Sequence, residues 1–321
     1  MTGDNHGNLP EPSRRSFLKA SAAGAVLTLG AGCAATEHVQ PVASGDGYVT
    51  TRDGVRLHYI ARGSGKPLVL IPGWSQTAAM FQDQLSGLSS RYRVIALDMR
   101  GHGESDKPAG GYRIARLAQD THEVLMALGL RDVALGGHSM GCSVIWSYFE
   151  HFGADRLSRL VLIDQGACAI AWPGWSDEEK ADAGALFDPK SAYDTAAALA
   201  GADGAKVTEN FLNTAFFTKQ FPRDRLAWVL AENLKLPREH AAKLLVDHGA
   251  KDWRDIIHRI TLPTLVVGGA ASLFNPKSQQ WIARQISGSR VEIFDERDGG
   301  SHFMFMENPT KFNRLVTEFL G

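Results

Sequence analysis

The chain has 321 residues, of which 44% are hydrophobic and 21% charged, and its formal net charge is -1. That balance excludes a wholly disordered chain, suits one large domain or two smaller ones, and provides neither a basic field for nucleic acid nor an acidic tail. Three cysteines, Cys33, Cys142 and Cys168, exclude a disulfide scaffold, and no zinc-type Cys/His spacing appears among them; Cys142 and Cys168 read as two unpaired buried thiols rather than as a bridge.

The N-terminus is a different kind of sequence from the rest. Ser13-Arg14-Arg15-Ser16-Phe17-Leu18-Lys19 precedes a mostly apolar run from Ala20 to Ala35, too short and too rich in small residues for an ordinary spanning helix. The order of arginine pair, Phe-Leu and apolar run resembles a twin-arginine export signal over residues 1–35, which implies the twin-arginine translocase as a transient partner and a periplasmic or other extracytoplasmic destination. Gly30-Ala31-Gly32-Cys33 also resembles a lipoprotein box, with Gly in place of the usual Leu three residues before the cysteine. That departure favours cleavage near Ala35 over a lipid anchor at Cys33.

Tyr48 to Arg62 reads as a hairpin turned at Arg52-Asp53-Gly54. Six short apolar runs follow: 67–71, 93–97, 133–137, 160–164, 263–267 and 291–294. Runs of this kind fill a parallel sheet buried on both faces. Helix-period segments lie between them at 115–128, 141–152, 278–286 and 309–320. The alternation predicts an α/β fold, a mostly parallel eight-stranded sheet flanked by helices. Its core spans 46–166 and 252–321. The rhythm breaks over 167–251, where helical stretches such as 207–217 and 239–248 predict an inserted cap over the carboxyl ends of the strands, where ligands of open α/β sheets bind. The cap carries Trp172, Trp175, Phe211, Phe216, Phe217, Phe221 and Trp228, most of them expected to pack it onto the sheet and a few to face the cleft.

The run 133–137 leads into Gly137-His138-Ser139-Met140-Gly141 and then a helical pattern. Gly-x-Ser-x-Gly alone is a weak signal; set between a buried strand and a helix it predicts a strained strand-to-helix turn that projects the Ser139 hydroxyl into a cleft. The Met140 N–H then lies free at the positive end of the helix dipole, ready for a developing oxyanion. A second donor is expected after the strand 67–71, at the N–H of Trp74 in Pro72-Gly73-Trp74-Ser75. A serine hydroxyl needs a base to take its proton. Of eleven histidines, His302 in Gly299-Gly300-Ser301-His302-Phe303 has the fitting position, between the last strand and the terminal helix. His102 and His138 sit in tight turns and read as packing or hydrogen-bonding residues; His122 and His151 fall on helical patterns.

Pro72-Gly73-Trp74, the loop Asp98-Met99-Arg100-Gly101-His102-Gly103-Glu104-Ser105, the Ser139 elbow and the His302 loop, in that order, resemble the α/β-hydrolase family, and more narrowly its cofactor-free esterase and non-haem chloroperoxidase-like branch. The resemblance spans nearly all of 48–320 and is weakest in the cap. It implies a triad whose acid usually follows the strand 264–267. In this chain Ser272 takes that position, and no carboxylate stands between Gly268 and Pro276. Asp164, at the end of the run 160–164, is the alternative acid, because some relatives carry theirs after that strand. Asp295 and Asp298 lead into the His302 loop from an awkward side.

The expectation is therefore an exported serine hydrolase acting without cofactor or metal on a small apolar ester or lactone. Ser139 is the nucleophile, His302 the base, Asp164 the acid, and Trp74 and Met140 the oxyanion donors. Peroxide in place of water would make the same machinery a perhydrolase. A non-catalytic ligand-binding protein is the alternative from another class.

Overall fold

The computed structural model describes residues 44–321; the arginine pair, the apolar run after it and Cys33 lie outside them. The chain opens with β1 (Gly45–Thr50) and β2 (Arg56–Arg62), joined by the expected turn. It continues through β3 (Pro67–Ile71), α1 (Gln82–Leu88), β4 (Arg93–Leu97), α2 (Ile114–Ala127), β5 (Val133–His138), α3 (Met140–Phe152) and β6 (Leu157–Ile163). After the cap come β7 (Thr264–Gly269), α10 (Pro276–Gln285), β8 (Arg290–Phe294), α11 (Met304–Glu307) and α12 (Pro309–Leu320). Eight strands form one sheet in the order β1-β2-β4-β3-β5-β6-β7-β8. β2 runs antiparallel to both neighbours, and every pairing from β4 to β8 is parallel.

The unbroken apolar strands are explained by the helices on both faces. Because successive strand residues point to opposite sides, Val69, Ile71, Ile95, Leu97, Leu160 and Leu162 join one buried cluster with residues of α2, α3 and α10. Leu68, Leu70, Val94, Ala96, Val161 and Ile163 join a second with residues of α1, α11 and α12. The inner strands β3 to β7 are buried on both faces and need no polar alternation, whereas the edge strands β1 and β8 keep exposed positions such as Tyr48 and Val291.

Between β6 and β7 lie α4 (Asp177–Ala183), α5 (Pro189–Ala200), α6 (Gly204–Phe211), α7 (Arg223–Asn233), α8 (Arg238–Gly249) and α9 (Arg254–Ile257). α6 runs directly into a π-helical turn, Leu212–Phe216, so the helical stretch expected over 207–217 is helical but changes its winding at 212. Cap and core belong to one compact unit. Among the described residues no helix is long and apolar enough to cross a membrane.

Candidate active site

Ser139 stands at the turn from β5 into α3 with φ 53° and ψ -125°. The turn is tight enough to need its glycines: a Cβ on Gly137 would meet the Gly141 backbone at 2.5 Å, and one on Gly141 would meet the Ile71 carbonyl oxygen at 2.5 Å. The Ser139 N–H donates to the Ile163 carbonyl at 2.8 Å, which locks the elbow to the end of β6. Among the described residues five non-glycine residues have positive φ, and three of them, Ser75, Ser139 and Asp164, are at this site. Each such residue costs about 1–3 kcal/mol, and such strain persists where the surroundings over-determine it.

Asp164 follows β6 directly. Its N–H donates to the Val267 carbonyl at 2.8 Å, and its side chain is fully buried. Three donors converge on the carboxylate. His302 Nδ1–H donates to Oδ2 at 2.7 Å, the Gly269 N–H donates to Oδ1 at 3.2 Å, and the Ser272 hydroxyl donates to Oδ2. Ser272, in the seat where the sequence resemblance places an acid, thus faces the carboxylate that stands across from it. The Ser272 oxygen also accepts from the Phe274 N–H at 3.1 Å. Burial raises the Asp164 carboxyl against the opposing hydrogen bonds from Ser272 and Gly269. Asp298 is committed elsewhere, 2.8 Å from Lys311 Nζ.

The His302 ring is 2% exposed and lies among Phe216, Phe274 and Phe303, with centroids 5.3, 5.7 and 5.3 Å away. This burial pushes its imidazole down to about 3. At neutral pH the ring is uncharged, and with Nδ1–H facing Asp164 the Nε2 lone pair is free to accept a proton.

Trp74 and Met140 are buried, and neither backbone N–H donates to an acceptor among the described residues. Both belong to turns held from behind. The Gly73 N–H donates to Gln76 Oε1 at 3.0 Å, and the same oxygen lies 2.8 Å from His138 Nδ1. His138 Nε2–H donates to the His302 carbonyl at 2.8 Å. One chain of contacts therefore ties the loop after β3, the elbow and the His302 loop together. The sequence left His138 as a packing or hydrogen-bonding residue, and gave no sign of Gln76, which nothing in the local pattern marks. The loop after β4 is likewise committed to structure. Asp98 accepts from the Ala78 and Glu104 N–H groups at 2.7 and 3.0 Å. Arg100 donates to Asp120 at 2.6 and 2.8 Å.

Ser139, His302 and Trp74 all line one cavity of about 250 Å3 between sheet and cap. Its remaining wall is nearly all apolar and includes Leu186, Phe187, Phe211, Phe216, Leu273 and Phe274. Of the seven cap aromatics singled out in the sequence, only Phe211 and Phe216 reach it. Phe217 stacks on Phe221 and Phe303 at 4.1 and 4.5 Å, Trp175 lies under Arg254 at 4.3 Å, and Trp172 is 59% exposed. His248, which also lines the cavity, was not singled out. Cys142 and Cys168 are free and buried. Among the described residues no cluster of His, Cys, Asp or Glu could hold a metal ion.

Comparison with known proteins agrees with this architecture. A non-heme chloroperoxidase, CPO-A1, of Kitasatospora aureofaciens is 31% identical over 286 residues, covering 85% of this chain and 98% of that one. An esterase from Exiguobacterium antarcticum superposes with a TM-score of 0.76 at 27% identity, over 85% of this chain and 99% of its own. A bromoperoxidase from Bacillus anthracis gives a TM-score of 0.77 at 22% identity over 86% and 99%, a likeness of fold. The family model described as alpha/beta hydrolase fold matches residues 66–309. With that match over most of its length, an eight-stranded sheet and a serine elbow, the chain belongs to the α/β-hydrolase family.

Proposed function

We propose that the protein is a serine hydrolase that cleaves a small, uncharged, apolar carboxylic ester or lactone through an acyl-enzyme. The observation that carries this reading is the opening of Ser139 and the buried His302, itself paired to Asp164 at 2.7 Å, onto one apolar cavity beside two uncommitted backbone N–H groups. Ser139 Oγ attacks the ester carbonyl as His302 Nε2 takes the hydroxyl proton, and the resulting imidazolium is stabilised by Asp164. The N–H groups of Trp74 and Met140 receive the oxyanion, each worth about 3 kcal/mol in the transition state. Collapse expels the alcohol, which takes its proton from His302 and leaves Ser139 acylated. Water then attacks with His302 as base, releasing the acid and restoring the serine.

The cavity volume of about 250 Å3 is near the small end of ligand pockets, about 300–1,000 Å3, which favours short esters. Likeness to a chloroperoxidase adds a second fate for the same acyl-enzyme: hydrogen peroxide attacking in place of water would give a peracid and free Ser139. Arg14-Arg15 and the apolar run after them support export by the twin-arginine route, with the mature protein acting outside the cytoplasm.

The test is hydrolysis of p-nitrophenyl acetate and butyrate, with labelling by a fluorophosphonate. Turnover of either ester, and label on Ser139 that is lost in Ser139→Ala, are expected. No turnover together with no label would overturn the hydrolase reading and leave a ligand-binding protein. Peracid formation when peroxide is added would establish the second fate.

A further inference from the structure

The polar side chains of the cavity wall are few enough to take one by one. Ser139 and His302 carry the chemistry proposed above. The indole N–H of Trp74 donates to the Ala241 carbonyl at 2.8 Å and is committed. There remains His248, near the C-terminal end of α8 in the cap and 7% exposed. Its Nδ1 is closed off from solvent without a hydrogen-bond partner, and Nε2, which is not closed off, also has no partner among the described residues, so Nε2 is the nitrogen left to meet a ligand. A buried polar group left unpaired is destabilising, and an apolar side chain of similar size would remove that penalty. Leu245, one helical turn earlier, already lines the same cavity, so an apolar residue would suit this wall.

His248 is also held in place. The adjacent Gly249 carbonyl accepts from the Ile170 N–H at 2.9 Å, and a Cβ at Gly249 would meet Ile170 Cγ1 at 3.0 Å. The imidazole therefore projects from a fixed helix end. Burial lowers its pKa to about 4, so near neutral pH the ring is uncharged and Nε2 meets a ligand as an N–H donor or as an acceptor according to the tautomer. Among the described residues no carboxylate, ammonium or guanidinium lines the cavity, so a charged ligand group would be buried there without a counter-charge.

We infer that His248 is the polar recognition point of the cavity, and that the substrate is an ester or lactone carrying a neutral oxygen function, a ketone, ether or hydroxyl, away from the scissile carbonyl. This rests on the hydrolase reading above and narrows it. A site built to hydrogen-bond a substrate group discriminates against the analogue that lacks it, because its own polar group is then left unpaired.

The experiment compares isosteric pairs by kcat/KM. p-Nitrophenyl pentanoate is set against p-nitrophenyl 3-methoxypropanoate and 4-oxopentanoate for the acyl side, and butyl acetate against 2-methoxyethyl acetate for the alcohol side. The protein is expected to prefer at least one oxygenated ester by about 10-fold. In His248→Phe and His248→Leu that ratio falls to about 2 or less, whereas His248→Asn, which keeps an N–H donor, retains part of it. Each ratio is read within one preparation, so a uniform loss of active protein cancels. The inference is overturned if no oxygenated ester is preferred, or if the preference survives in both apolar variants. Turnover without discrimination sinks this inference alone; no turnover and no fluorophosphonate label on Ser139 sinks the hydrolase reading with it.

Discussion

Asp164→Asn is the substitution that bears most directly on the mechanism. Asparagine preserves the shape of the side chain and can keep its oxygen toward the Gly269 N–H, now 3.2 Å from Oδ1. Its NH2 group then occupies the place of Oδ2, where His302 Nδ1 lies at 2.7 Å. Two N–H donors cannot share that contact, so His302 moves its proton to Nε2. The lone pair that should accept from Ser139 is thereby removed, and the imidazolium loses its buried counter-charge. Ser272 must also turn its hydroxyl away. The same change of tautomer in a serine protease triad costs about 10^4 in kcat, so a loss of about 10^3 to 10^4, or about 4–5 kcal/mol, is expected here. The assay is kcat for p-nitrophenyl butyrate from pH 6 to 9, with circular dichroism to show that the variant is folded. A folded Asp164→Asn protein that keeps more than about a tenth of the kcat would refute Asp164 as the acid partner of His302.

Ser272→Ala removes one of three donors to Asp164, a hydrogen bond to a charged group worth about 1.5–3 kcal/mol. A fall in kcat of about 10-fold and a shift of the acid limb of the pH–rate profile to higher pH are expected; an unmoved limb would make Ser272 a bystander. Arg100→Met leaves the buried Asp120 with Arg116 as its remaining ion-pair partner, at 2.6 Å. Losing one member of a buried pair costs about 3–5 kcal/mol, so urea unfolding should show a loss near 3 kcal/mol, and a loss below 1 would contradict the burial argument. His102 is fully buried, with its imidazole lowered to about 4 by that burial. Between pH 7 and 5 the unfolded chain protonates this residue while the folded one does not, so stability falls with pH, by about 2 kcal/mol from this group. His102→Asn should lose that much less over the same interval, and an equal loss would rule out a neutral His102. Changing Arg14 and Arg15 to Lys should leave the protein in the cytoplasm, as read by fractionation; normal delivery would count against the twin-arginine route.

The inner part of the sheet was legible because β3 to β7 are buried on both faces and so appear as apolar runs without alternation, while the partly exposed β1 was read with β2 from the turn that joins them. The start of β6 was missed for the same reason in reverse: Ser158 and Arg159 are polar, although Leu157 already pairs with Val133. α5 carries a local signal, the Asp188–Ser191 capping box with Pro189, but its alanine-rich body shows no broad apolar stripe. In the site, Ser139 and His302 stood out because their chemistry demands particular turns. The empty acid position was visible, yet the hydroxyl of Ser272 reaching Asp164 was not, since the contact joins residues 108 apart in the chain. Gln76 and His248 act through space as well, and no motif announces either.

The position of Asp164 also changes what the segment after β7 is free to become. A loop that holds a catalytic carboxylate must keep charge, solvation and backbone geometry within narrow limits. Here that loop contributes a hydroxyl at Ser272 and then two hydrophobic side chains, Leu273 and Phe274, to the cavity wall. Under the proposed mechanism the carboxylate and the Leu273 side chain of the cavity wall lie on different segments, so selection, natural or in the laboratory, can vary 273 to reshape acyl preference while leaving the charge relationship of Asp164 and His302 intact, whereas Phe274, 5.7 Å from the His302 ring, serves both.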